Sequence, residues 1–162
     1  MSEEELTIPA EDLLGTWQIS NRVVLYVLTQ ITPEQLGARP QNKGRTVGEM
    51  LAHLHNTRLL WLEVADKSLH ASQTKLSKEE ALDKDKLTQA LQASAEAMTT
   101  LVQRAVASRG RVKGFKPHPT AFVGYLIAHD FYHLGEVGIY LAQSGFPLDQ
   151  KTAFGMWEWG VR

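Results

Sequence analysis

Pro119-Thr-Ala-Phe-Val-Gly-Tyr-Leu-Ile-Ala-His129-Asp-Phe-Tyr-His133-Leu-Gly-Glu136-Val-Gly-Ile-Tyr-Leu-Ala-Gln-Ser-Gly145 is the stretch whose reading decides the fold. Phe122, Leu126, His129, His133, Val137 and Tyr140 recur at helical spacing and form one stripe. Proline suits a first helical turn, and Gly145 with Pro147 just beyond is a C-terminal signature. A long amphipathic helix therefore fills this stretch, with two histidines on its inner face.

The same periodicity recurs three times upstream, and strand-type alternation is sustained nowhere. Pro9 to Gln30 carries Leu13, Trp17, Val24, Leu28 and Ile31 on one stripe, and Pro33 and the Gly37 to Gly44 stretch end it. Thr46 to Ala65 opens on Thr46-Val-Gly-Glu49, the spacing of a capping box, and its inner stripe is Met50, His53, Leu54, Thr57 and Trp61. The third helix buries Leu87, Leu91, Met98, Leu101, Val102 and Ala105 and stops at Arg109-Gly110; its start lies at either Ser77-Lys-Glu-Glu80 or the charged Asp83 to Lys86. Four helices of about 20 residues make an all-α four-helix bundle, with antiparallel packing the simplest arrangement. The loops after the first two helices are long enough for a crossover. The tail from Phe146 to Arg162 holds Phe154, Met156, Trp157 and Trp159 and is expected to pack on the bundle or on a partner chain.

The chain has 162 residues, a length that buries a core of its own, so residues 1–162 are read as one domain. It has no cysteine, which excludes a disulfide scaffold, a thiolate nucleophile and cysteine-type metal sites. A formal charge of −1 offers no field to a phosphate backbone, and the basic stretch Arg109 to Lys116 reads as a solvated loop, so no nucleic-acid partner is expected. The acidic start Met1-Ser-Glu-Glu-Glu resembles no secretory signal. Apolar runs such as Val23 to Leu28 and Ala121 to Ala128 fall far short of the roughly 20 residues of a membrane span. A cytoplasmic protein without membrane contact is expected.

Six histidines remain to be placed. His129 and His133 are four apart on one helix, so their imidazoles can point at one ion, and His53 lies on the inner face of the second helix. His55 lies roughly 200° around the helix from His53, toward solvent or a neighbouring helix, and His70 and His118 fall in loops. Spacing alone leaves two readings for the inner three: core histidines each satisfied by hydrogen bonds, or a shared metal site. Glu136 shares their face and can orient an imidazole, ligate, act as a base, or pair with a surface cation. Asp130 points about 100° away from His129 and is the weaker ligand candidate. Asn21 either lines the pocket or faces water.

Two of these segments resemble a known family. Thr46-Val-Gly-Glu-Met-Leu-Ala-His53-Leu is similar to the helix-two signature of the DinB-like (DinB/YfiT) superfamily, and His129-Asp-Phe-Tyr-His133-Leu-Gly-Glu136-Val is similar to its helix-four signature. The similarity extends from about residue 10 to residue 145, leaving the Trp157-Glu-Trp159-Gly tail outside the motif. It implies a four-helix bundle, often a homodimer, with a divalent ion such as zinc or nickel held by His53, His129 and His133. Members are described as metal-dependent hydrolases, and relatives include transferases and isomerases that use mycothiol or bacillithiol. Where the family commonly carries Gln, this chain has Glu136, which makes the site more negative.

Three neutral nitrogens would leave a position on the ion open to water or substrate, as in catalytic rather than structural sites. The leading expectation is a metal-dependent hydrolase acting on a small molecule, with Glu136 moving protons. The alternatives are a metal-assisted S-transferase whose thiol arrives from outside, a non-catalytic metal- or ligand-binding stress-response bundle, and a structural bundle without metal.

Overall fold

The computed structural model describes residues 7–162. Four long helices carry the fold: α1 (Ala10–Gln30), α3 (Val47–Ala65), α5 (Lys84–Ala107) and α6 (Pro119–Gln143). Three short ones, α2 (Pro33–Leu36), α4 (Lys67–Ala71) and α7 (Gln150–Gly155), decorate the connections, and the described residues contain no strand. Local chemistry sets the starts. Thr46 takes the Glu49 amide on its hydroxyl while the Glu49 carboxylate accepts from the Thr46 amide at 2.9 Å, so the expected capping box forms and fixes the phase of α3. Asp83 caps α5, which settles its start; the Ser77 and Glu80 box also forms, one turn earlier, and opens a 3₁₀ turn. Gly145, at φ +85°, adopts the left-handed conformation that ends α6.

Helix directions depart from a simple antiparallel bundle. Trp17 Nε1 donates to the Ala95 carbonyl at 3.1 Å and Lys84 Nζ to the Thr29 carbonyl at 2.9 Å, so α1 and α5 run antiparallel. Arg58 meets Leu91 and Ser94 while Asp66 meets Arg104, so α3 and α5 are parallel neighbours. Both α1 and α3 pack against α5 and α6 and face each other across the diagonal. Parallel neighbours need a connection that travels the length of the bundle, and residues 66–83 supply it. After α4 the chain returns along α3 as a strap. His55 Nε2 donates to the Thr74 carbonyl at 2.8 Å, Asn56 is bonded to both backbone groups of Leu76, and Ala81 lies against Gly48.

The core is divided. One apolar cluster gathers Val24, Leu28, Leu54, Leu91, Leu134 and neighbours; the other gathers Trp17, Leu62, Met98, Phe122, Leu126 and neighbours. Between them lie buried polar residues from all four long helices: Asn21 with its neighbour Ser20, Arg58, Ser94 and Asp130. A polar layer thus crosses the bundle at mid-height. The tail packs on the bundle through Phe146, Leu148 and Met156, and through Arg162, whose guanidinium lies 3.7 Å from the Tyr26 ring. Its tryptophans do less of this than expected. Trp159 reaches Phe131, whereas Trp157 is 77% exposed.

Candidate metal centre

His53 lies in the second turn of α3, at a phase set by the Thr46 cap, and His129 and His133 lie one turn apart on α6, the helix packed beside it. The structure brings all three together. Ring centroids are 5.3 Å apart for His53 and His129, 4.6 Å for His53 and His133, and 4.7 Å for His129 and His133. One ring nitrogen from each lies within 4.8 Å of the other two. The cluster sits at the edge of the polar layer rather than deep in the core, with the His129 and His133 side chains 18% and 12% exposed.

The outer nitrogens of these rings have partners. His133 Nδ1 lies 2.7 Å from Glu136 Oε2, His129 Nδ1 lies 3.5 Å from Asp130 Oδ1, and His53 Nδ1 lies 3.5 Å from the Thr57 hydroxyl. An Nδ1–H that donates to a carboxylate fixes the tautomer and leaves Nε2 with a free lone pair. With Nδ1 of His133 held by Glu136, its Nε2 is the nitrogen left for the cluster, and three imidazole nitrogens this close fit a divalent ion. Burial, followed by the nearby Arg45 guanidinium and the other two histidines, lowers the His53 pKa to about 4, partly offset by Glu136. His53 is therefore neutral at pH 7, the state a ligand requires.

The family model for the DinB family matches residues 1–154. The chain belongs to the DinB family. No curated protein matches it. In this DinB-family chain the residues with metal-ligand spacing in the sequence are the same three that converge in space, and Glu136 emerges as the carboxylate bonded to His133.

Asp130 has a different role from a ligand. Its Oδ2 accepts from Arg58 Nη2 at 2.7 Å, with both side chains buried, while Oδ1 faces His129. Arg58 also donates to the Leu91 carbonyl at 3.0 Å and the Ser94 hydroxyl at 3.1 Å, and stacks 4.9 Å from the Trp17 ring centroid. A path of contacts therefore links α5 and α1 through Arg58 and Asp130 to His129. Sequence reasoning passed over Arg58, although a signal was present: a polar residue interrupts the apolar stripe of each long helix at a common level.

The remaining histidines resolve differently from their sequence reading, and of the two alternatives for Asn21 the one facing water falls away. His55 is buried beneath the strap rather than facing solvent or a neighbouring helix, because its ring donates to Thr74, and burial lowers its pKa. His118 is the N-cap of α6, accepting from the Ala121 amide, and His70 is on α4, so neither is a simple loop residue. Asn21 is buried in the polar layer instead of facing water. Two tyrosines frame the site: Tyr125 stacks 6.3 Å from His129, and the exposed Tyr132 stands edge-on 5.1 Å from His133.

Proposed function

We propose that this DinB-family chain binds zinc or nickel through His53, His129 and His133 and uses the site to hydrolyse a small-molecule substrate. The carrying observation is the convergence of three imidazole nitrogens within 4.8 Å, with outward nitrogens held by Thr57, Asp130 and Glu136. Three ligands are the count of catalytic zinc sites, whereas structural sites close with four. When bound, the ion supplies Lewis acidity, polarising a substrate oxygen and making water more acidic.

The protein's own groups do the rest. Asp130 and Glu136 hold His129 and His133 in the tautomer that presents Nε2. Glu136 Oε2 is engaged by His133 Nδ1, so this carboxylate orients the ring, and its other oxygen is the proton acceptor that this reading assigns. Tyr125 and Tyr132 place aromatic rings beside His129 and His133.

The test is a panel of esters, amides and low-molecular-weight thiol conjugates offered to zinc- or nickel-loaded protein. Ester or amide cleavage is expected, absent in His129→Ala and reduced by about 10²-fold or more in Glu136→Gln. Turnover confined to thiol conjugates would replace the hydrolase reading with S-transfer. Stoichiometric metal without any turnover would leave a binding protein.

A further inference from the structure

A cleft of about 1130 Å³ runs along the outer face of α3, walled on its other side by the strap, and its lining includes His53, Arg45, Lys78, Leu60 and Leu76. Its charges are unevenly placed. Arg45 immediately precedes the Thr46 cap at the start of α3. Lys78 follows Leu76, which is tied to Asn56, and precedes Ala81, which lies against Gly48, so the strap holds Lys78 close to the level of His53. Both cations are exposed, and neither has an ion-pair partner among the described residues. Glu49 lines the same end, with one carboxylate oxygen committed to the Thr46 amide. Glu63 lies ten residues beyond His53 along α3, at the far end.

The middle of the cleft mixes the apolar Leu60 and Leu76 with Asn56, Thr57 and Lys75. Leu60, two turns beyond His53 and about 10 Å from it along the helix axis, is 64% exposed, and the half-buried Leu76 lines the same cleft from the strap. A leucine that exposed inside a concave surface offers apolar area to a ligand rather than to the core. Along α3 the cleft therefore runs from Arg45 past His53 to Leu60 and then Glu63, with Lys78 and Lys75 on the strap side.

We infer that this cleft binds an elongated small molecule with an anionic head group, held between Arg45 and Lys78 in front of His53, and an apolar tail lying over Leu60 and Leu76. Guanidinium is suited to the head because its fork matches a carboxylate or phosphate. The inference rests on the proposed metal site in one respect, that the head group faces it.

Isothermal titration with octanoate, acetate and octanamide tests this, on protein loaded with zinc and on protein treated with a chelator. Octanoate is expected to bind at least about tenfold more tightly than acetate, from the added methylenes, and more tightly than octanamide, from the charge. Arg45→Ala is expected to weaken octanoate about tenfold, and Leu60→Asp to erase its advantage over acetate. Both positions are exposed, and circular dichroism is the check that the variants fold. Failure of octanoate to bind, equal binding of octanamide, or full affinity in Arg45→Ala would each overturn the assignment. Octanoate binding with these dependences in a protein that takes up no metal would preserve the cleft and defeat the metal reading; metal uptake without octanoate binding would do the reverse.

Discussion

Replacing Asp130 with Asn keeps the shape of the side chain and removes its charge, leaving the Arg58 guanidinium in the polar layer without its counterion. The Arg58 side chain is 1% exposed and that of Asp130 2%, so water cannot compensate. The remaining acceptors of Arg58 are a neutral carbonyl and a neutral hydroxyl, and its Nε has no partner among the described residues. Breaking a buried pair in this way costs about 3–5 kcal/mol, because the surviving charge stays desolvated. With an m-value of about 2 kcal/mol per molar urea, the unfolding midpoint of the metal-free protein should fall by about 2 M. The double variant Arg58→Met with Asp130→Asn removes both charges and should regain at least about 2 kcal/mol of that loss. Urea unfolding followed by circular dichroism, on wild type, both single variants and the double, gives the coupling directly. A cost below about 1 kcal/mol for Asp130→Asn, or a double variant as unstable as the sum of the singles, would refute the claim that the layer is held by this pair.

Three other outcomes follow from the same geometry. His53 has a lowered pKa in the fold, about 4, against an ordinary value of 6.5, so between those values the unfolded chain binds the additional proton. The metal-free protein should therefore lose stability as pH falls from 6.5 to 4, by about 1–2 kcal/mol after allowing for partial exposure, and His53→Gln should flatten that dependence in pH-resolved urea titrations. Gly48→Ala drives a Cβ into the Ala81 carbonyl, a backbone atom that cannot swing aside, so it should cost about 1–3 kcal/mol and raise amide exchange across the strap residues 73–81. Glu136→Gln leaves a neutral partner on His133 and should weaken zinc affinity about 10- to 100-fold in a competitive chelator titration while leaving urea stability of the metal-free protein within about 1 kcal/mol.

Much of this molecule is legible in its sequence because the signals are local. The Thr46 and Glu49 box, Pro119, and the glycine at 145 mark helix ends that the structure reproduces within a residue or so, since each acts through hydrogen bonds or torsions a few residues apart. The histidine faces were equally readable, because a helix converts the spacing of His129 and His133 into a shared direction. Helix direction was not readable. The parallel run of α3 and α5 depends on the strap, and the strap is held by contacts such as His55 to Thr74 whose partners lie 19 residues apart with no periodicity to announce them. For the same reason the burial of His55 was missed: its face of α3 is covered by a segment with no amphipathic pattern of its own. Arg58 and Asp130, 72 positions apart, could be joined only by seeing that four helices interrupt their apolar stripes at one level.

Elemental analysis of the purified chain, with His53→Ala and His129→Ala beside it, addresses the central claim most directly. The account predicts close to one zinc or nickel per chain in wild type and loss of that metal in both variants, with their helical content retained. Metal content that is at trace level in wild type, or unchanged in the two variants, would contradict it.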